Sequence, residues 1–248
     1  MLYLEGTHAV TESLRAGKAL ARVLVDRHKR SDSAVQSIIQ LAQDQQVLVQ
    51  YMSKEELDHE SQTGRHQGVI AIYKGRIYVD LEDILLNAQQ QQQDPLVVVL
   101  DDIVDPHNVG AIIRSAEALG AHGVVLHERR AAGLTPTVVR AAAGALAYLP
   151  IARVTNIHNA VRDLKERGLW TLGLDVSGTR SLPDIDGRQP LTVVVGSEER
   201  GLSKPVKKLC EDLVKIPMAG RVQSLNASVA TAVLLWEVCR SRLGNTRA

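Results

Sequence analysis

A chain of 248 residues with 45% hydrophobic residues, 3% aromatics and no Phe can bury a sizeable core, built from Val, Leu, Ile and Ala. Its formal charge of +1 gives no global basic signature, and no apolar run approaches the ~20 residues of a bilayer-spanning helix. The amino terminus lacks the basic region and long apolar stretch of a secretion signal, and Cys210 and Cys239 stand apart. The expectation is a cytoplasmic protein without a membrane anchor, a disulfide framework or a metal site.

Over residues 1–75, β-like runs alternate with helical spacing: ARVLVD, then SAVQSIIQLAQ, then QVLVQY and GVIAIY. This predicts a small α/β domain. Charge is segregated within it. Arg15, Lys18, Arg22, Arg27, Lys29 and Arg30 face the single acid Asp26, whereas Asp44, Glu55, Glu56, Asp58 and Glu60 surround Lys54. Such a distribution can offer one basic face to a polyanion. The segment TGRHQG is bounded by glycine, polar and cationic, which makes Arg65, His66 and Gln67 candidates for contacting RNA phosphates. Residues 76–94, ending in a glutamine run closed by Pro95, read as a linker, with a helical continuation from LEDILLNA as the alternative.

Residues 95–248 alternate strongly. PLVVVLDD is a continuous apolar run suited to a parallel strand covered on both faces. The next segment places Val109, Ile112, Ile113, Ala116 and Leu119 on one helical stripe. Strand HGVVL, helix PTVVRAAAGALA, strand LPIARV, helix IHNAVRDLKERG and strands LWTLGLD and LTVVVG follow. A short helix near Lys204, strand DLVKIP and the long apolar helix NASVATAVLLWEVCRSR complete the series. Alternating strands and helices predict an α/β fold with a parallel sheet.

Three segments in fixed order join apolar runs to Gly- or Asn-rich turns: DPHNVGAIIRSAEALGAHGVVL (Asp105–Leu126), VVVGSEERGLS (Val193–Ser203) and IPMAGRVQSLNASVATAVLLWE (Ile216–Glu237). Together they resemble the three signature motifs of the SpoU family of RNA ribose 2′-O-methyltransferases. The first 75 residues resemble the ribosomal-protein-L30e-like RNA-binding domain that precedes the catalytic domain in some members. The resemblance implies a SPOUT-type parallel sheet with a C-terminal trefoil knot, S-adenosylmethionine as cofactor, and a homodimer. By motif match, Gly196, Ile216 and Leu225, with Met218 close by, line the cofactor pocket. Asn108, Arg114, Glu198, Ser224 and Asn226 fall on the catalytic positions. Glu198 is expected to pair with Arg114 and fix its fork.

Methyl transfer to a ribose hydroxyl requires the cofactor held, the 2′-oxygen aimed, and its developing negative charge stabilised. A guanidinium, whose pKa exceeds ~12, suits the last role better than that of a base. One departure stands out: the second motif carries Glu199 where the family usually has glycine, which implies strain if that position needs a positive φ. The length and the L30e-like extension point to the subgroup acting on a guanosine of bacterial 23S rRNA. A tRNA-directed enzyme, a thiostrepton-resistance-type rRNA enzyme and a catalytically silent rRNA-binding assembly factor are the alternatives. A dinucleotide oxidoreductase is disfavoured, because DPHNVG rather than G-x-G-x-x-G follows the first apolar strand of this half.

Overall fold

The computed structural model describes residues 1–129, 131–222 and 224–243. In chain order the first elements are β1 (Leu2–Glu5), α1 (Thr7–Arg15), β2 (Leu20–Asp26), α2 (Ser33–Asp44), β3 (Leu48–Met52), α3 (Lys54–Glu60) and β4 (Val69–Tyr73). There follow α4 (Leu81–Gln90), β5 (Leu96–Asp101), α5 (Pro106–Ala118), β6 (Gly123–His127), α6 (Pro136–Ala141), β7 (Ile151–Val154) and α7 (Ile157–Glu166). The chain continues through β8 (Trp170–Leu174), β9 (Arg180–Ser181), β10 (Leu191–Gly196), α8 (Lys204–Lys207), β11 (Asp212–Lys215) and α9 (Ala227–Leu243). No described helix is long and apolar enough to cross a membrane. Two compact units result: residues 1–77 with 134–148, and residues 78–133 with 149–248.

In the first unit the strand order is β1-β4-β2-β3, with β2 and β3 parallel and β4 antiparallel to both neighbours. Strand alternation sorts its residues. Val23, Val25, Val69 and Ala71 pack with α1 and α2 through Val10, Leu14, Val35 and Ile38. Leu24, Ile70 and Ile72 pack with Leu57 of α3. A capping box starts α3: Ser53 Oγ accepts from Glu56 N, and Glu56 Oε2 accepts from Ser53 N.

The segment 134–148 belongs to this unit although its sequence lies within the second half. Val139 and Leu146 join the α1–α2 core, and Tyr148 Oη donates to Glu12 Oε2 at 2.6 Å. The helix expected over PTVVRAAAGALA stops at Ala141, because Ala143 (φ 46°) and Gly144 (φ 89°) turn into the left-handed region. Within residues 76–94, read above as a linker, Leu81–Gln90 forms the helix that was the alternative reading. α4 buries Ile84 and Ala88 in the second unit, and Ile84 fills the space that a side chain at Gly123 would need.

The second unit carries the expected parallel sheet, in the order β7-β6-β5-β10-β8-β11-β9. α4, α7 and α8 cover one face, packing on Val97, Val99, Val125 and Val194. α5 and α9 pack on each other and cover the other face. All six residues of β5 and of β10 are buried, as a doubly covered strand requires. Arg242, near the end of α9, donates to the main-chain oxygens of Gly187, Asp94 and Gln189, tying the helix to the sheet's amino edge.

His122 sits buried at that edge, its Nδ1 accepting from Leu96 N at 2.9 Å and its Nε2 3.1 Å from Gln93 Oε1. Burial, with the Arg242 charge adding to it, pushes its pKa down from 6.5 to about 4. Between those values the unfolded chain binds a proton that the folded chain does not, so stability falls as pH drops through this window. The expected loss is on the order of 3 kcal/mol by pH 4. Thermal melts from pH 7 to pH 4 check this. His122→Asn should flatten the dependence, and an unchanged slope in that variant would remove His122 as its cause.

Candidate active site

The three motifs meet at the carboxyl edge of the second unit's sheet. Asp105 caps α5 by accepting from His107 N and Asn108 N, and Pro106 occupies the first turn, where its missing N–H does no harm. Asn108 is therefore held in the first turn of α5. Gly196 ends β10 opposite Asp101 of β5. A β-carbon on Gly196 would collide with the main chain of Gly201 and Leu202, so glycine is needed for the turn to fold back on its own strand. That turn is closed by Gly201 N donating to Ser197 O at 2.8 Å, and it presents Glu198. Asn226 caps α9: its Oδ1 accepts from Ser228 N, Ser228 Oγ and Val229 N.

Glu198, Asn108 and Asn226 form one hydrogen-bonded cluster. Glu198 Oε1 accepts from Asn108 Nδ2 at 2.8 Å, from Asn226 Nδ2 at 2.6 Å and from Ala227 N at 3.1 Å. Asn226 Nδ2 also donates to Asn108 Oδ1 at 2.9 Å. The carboxylate thus sits at the amino end of α9, where unpaired N–H groups and the helix dipole favour negative charge. This commits both donor hydrogens of Asn226. It leaves Glu198 Oε2 and one N–H of Asn108 uncommitted among the described residues.

Several sequence expectations are revised. Glu198 does not pair with Arg114; its contacts are the two asparagines and the α9 amide. Arg114 is exposed on α5 and has no hydrogen-bond or ion-pair partner among the described residues. It lies six residues beyond Asn108, which on an α-helix is ~9 Å along the axis and about a third of a turn away. Glu199 is not at positive φ; Gly201 (φ 64°) takes that conformation, so no strain falls on the glutamate. Ser224 is exposed and outside the cluster. Ile216 and Leu225 are half-buried, and Met218 is 37% exposed, in the chain between β11 and α9.

In the first unit, His66 is turned inward: Nε2 lies 2.9 Å from Asp58 Oδ1 and Nδ1 accepts from Gly68 N. Gln67, at φ 55°, accepts from Thr7 N and Thr7 Oγ1 and braces the loop. Arg65 alone of the three is an exposed side chain without such a task.

Asp175, which follows β8, carries no motif signature and was missed. Sheet order places it between the ends of β10 and β11. It accepts from Ser177 N and from Lys207 Nζ, both at 2.9 Å, and stands beside Gly201. Burial opposes its ionisation, but the Ser177 and Lys207 hydrogen bonds prevail and hold its pKa below the usual carboxylate value. The signal was a lone acid at a strand end, which sequence alone cannot separate from a solvated turn.

A doubly covered parallel sheet with a polar cluster at its carboxyl ends is the arrangement of α/β proteins, which as a class take ligands at that edge. The SpoU rRNA methylase family matches residues 95–236, and the RNA 2′-O ribose methyltransferase substrate-binding domain matches residues 3–79. A Bacillus subtilis protein, YacO, named for the TrmH family of tRNA/rRNA methyltransferases, is 42% identical across 97% of this chain and 96% of its own. The crystal structure of the SpoU methyltransferase AviRb from Streptomyces viridochromogenes, in complex with AdoMet, has a TM-score of 0.82. It is 28% identical and covers 98% of this chain and 91% of that one. An AdoMet-bound rRNA methyltransferase from Sinorhizobium meliloti has a TM-score of 0.77 at 26% identity, covering 97% and 87%. This chain belongs to the SpoU methylase family of RNA methyltransferases.

Proposed function

We propose that this protein transfers a methyl group from S-adenosylmethionine to the 2′-hydroxyl of a guanosine in 23S rRNA. The observation that carries the reading is the cluster of Asn108, Glu198 and Asn226, one residue from each motif, joined at the edge where β10 and β11 end. The residues there suit the cofactor. Half-buried Ile216 and Leu225 and the exposed Met218 offer apolar surface for an adenosyl group, and main-chain groups follow Gly196. Bound there, the cofactor supplies a methyl group activated by its sulfonium.

The protein's own part is positioning and charge. The cluster fixes Asn108 and Glu198, whose uncommitted N–H and carboxylate oxygen are available to a ribose hydroxyl. Arg114 stabilises the charge developing on the 2′-oxygen and grips the adjacent phosphate through its fork. Ser224 contributes a hydroxyl to ribose or cofactor. RNA is engaged by the first unit through Arg65, with Gln67 holding the loop, and through the basic residues around Arg27 and Arg30. The protein works in the cytoplasm, where its RNA is.

Methyl transfer from labelled cofactor to undermodified total RNA, followed by mass spectrometry of the modified nucleoside, tests this. Expected is 2′-O-methylguanosine in 23S rRNA. Methylation of tRNA or of an adenosine would correct the target, and no transfer to any RNA would favour a silent assembly factor.

The working form is a homodimer through α9. This helix buries Thr231, Leu234, Leu235 and Val238, yet leaves Val229 (49%), Trp236 (56%) and Leu243 (57%) exposed at a spacing of seven residues. Such a stripe on a helix apolar on both sides calls for a covering partner. Since α5 packs on α9, Arg114 would lie close to that interface and serve the neighbouring subunit's site. Sedimentation equilibrium at micromolar concentration should show a dimer, with Trp236→Glu shifting it to monomer; a wild-type monomer of 27.0 kDa would overturn this.

A further inference from the structure

On the face of the sheet opposite the asparagine–glutamate cluster, at the same carboxyl edge, lies a cavity of about 510 Å³ that the methyl-transfer reading does not use. The ends of β5, β6 and β7 and the starts of α7 and α8 line it. On one side stand Asp101 and Asp102; on the other stand Thr155, Asn156, Ile157 and His158. Asp101 is buried and gives one oxygen to Ser203 N at 2.7 Å. Asp102, Thr155 and His158 have no hydrogen-bond or ion-pair partner among the described residues. Asp102 also holds a left-handed conformation, φ 59°, which aspartate tolerates better than most residues but which still needs a reason to persist. Asn156 caps α7 through its Oδ1, and the N–H groups of Ile157 and His158 in the first turn are unpaired.

We propose that this cavity binds a guanine base of the substrate RNA, from a nucleotide flanking the one methylated. The claim that the base comes from RNA rests on the methyltransferase reading. The volume lies in the range of small-molecule sites and far exceeds that of an ion. Two carboxylates side by side exclude phosphate and demand a ligand rich in donors. Guanine alone among the four RNA bases presents two adjacent donors, N1–H and the 2-amino group, beside an acceptor, O6. The donors match the two oxygens of Asp102. The acceptor matches the amides at the start of α7 and the Thr155 hydroxyl. Ile157, Pro205 and Val206 supply apolar walls for the ring. The turn Ser197–Ser203 borders both sites, with its Glu198 in the catalytic cluster and its Ser203 lining the cavity.

The full-length protein with 13C-labelled histidine, its His158 signal assigned with His158→Gln, is titrated by NMR with guanosine, inosine, adenosine and magnesium chloride. His158 should shift with guanosine. Inosine, which lacks the 2-amino group, should bind on the order of tenfold more weakly. Asp102→Asn keeps the size and the tolerance for positive φ while removing the carboxylate, and should lose the guanosine response. On undermodified 23S rRNA the same variant should raise KM on the order of tenfold, with kcat and cofactor affinity unchanged. The inference is overturned by an equal response to adenosine, by a response to magnesium alone, by no response, or by wild-type KM in Asp102→Asn. A wild-type protein inactive on every RNA refutes the methyltransferase reading instead, and the titration still decides whether the cavity takes guanine.

Discussion

Arg114→Ala is expected to lower methyl transfer by roughly a hundred- to a thousandfold, the usual effect of removing one group that stabilises transition-state charge. Cofactor affinity and thermal stability should stay near wild type. The side chain is exposed and holds no partner among the described residues, so its removal breaks nothing in the free chain. Arg114→Lys should fail almost as badly, because a point charge cannot reproduce a planar two-pronged donor. Calorimetry with the cofactor and a turnover assay on one preparation decide the matter; near-normal turnover removes Arg114 from the reaction. A mixing experiment separates service within a chain from service across a dimer. Chains carrying Arg114→Ala and chains carrying Glu198→Ala, each strongly impaired alone, should regain activity when allowed to exchange subunits. No recovery would place Arg114 at its own chain's site.

How much of this was readable beforehand depended on whether the information was local. The parallel sheet of the second unit was legible because fully buried strands such as Leu96–Asp101 and Leu191–Gly196 are written as unbroken apolar runs. Asn108, Glu198 and Asn226 could be picked out from ordered motifs, but not their mutual bonds. Sequence order gives no distance between residues 108 and 226, and charge pairing suggested Arg114 as the partner of Glu198. The structure instead uses that carboxylate to cap α9 and to orient two amides. The assignment of 134–148 was illegible for a similar reason. Val139 and Leu146 look like any apolar helix residues, and nothing in their spacing says that they pack beside Val10 and Leu14. The glutamine run misled about 76–94, since Ile84 and Ala88 are the only buried anchors that α4 needs. A polar loop motif likewise does not reveal that the imidazole of His66 points inward to Asp58.

Glu198→Ala should be the most damaging change within the cluster. One oxygen, Glu198 Oε1, accepts from Asn108, Asn226 and Ala227, so its loss releases two side chains and a helix-end amide together. The cluster borders solvent, and water can replace part of what is lost. The stability cost is therefore that of a helix cap, about 1 kcal/mol, or a fall in Tm of about 2–4 °C for a chain of this size. Activity should suffer far more. The side-chain amide of Asn108 would keep only its bond from Asn226, which itself stays tied to α9 through its cap, and a misplacement of about 1 Å in positioning groups can reduce rate on the order of a hundredfold. Glu198→Gln separates the two effects. It preserves an acceptor oxygen but removes the charge from the amino end of α9, and its added N–H₂ competes with the amides of Asn108 and Asn226. Its Tm should lie close to wild type while turnover stays depressed at least tenfold. Melting curves and single-turnover rates on the same RNA supply the test. Wild-type turnover in Glu198→Gln would reduce the carboxylate to a helix cap and remove it from the chemistry.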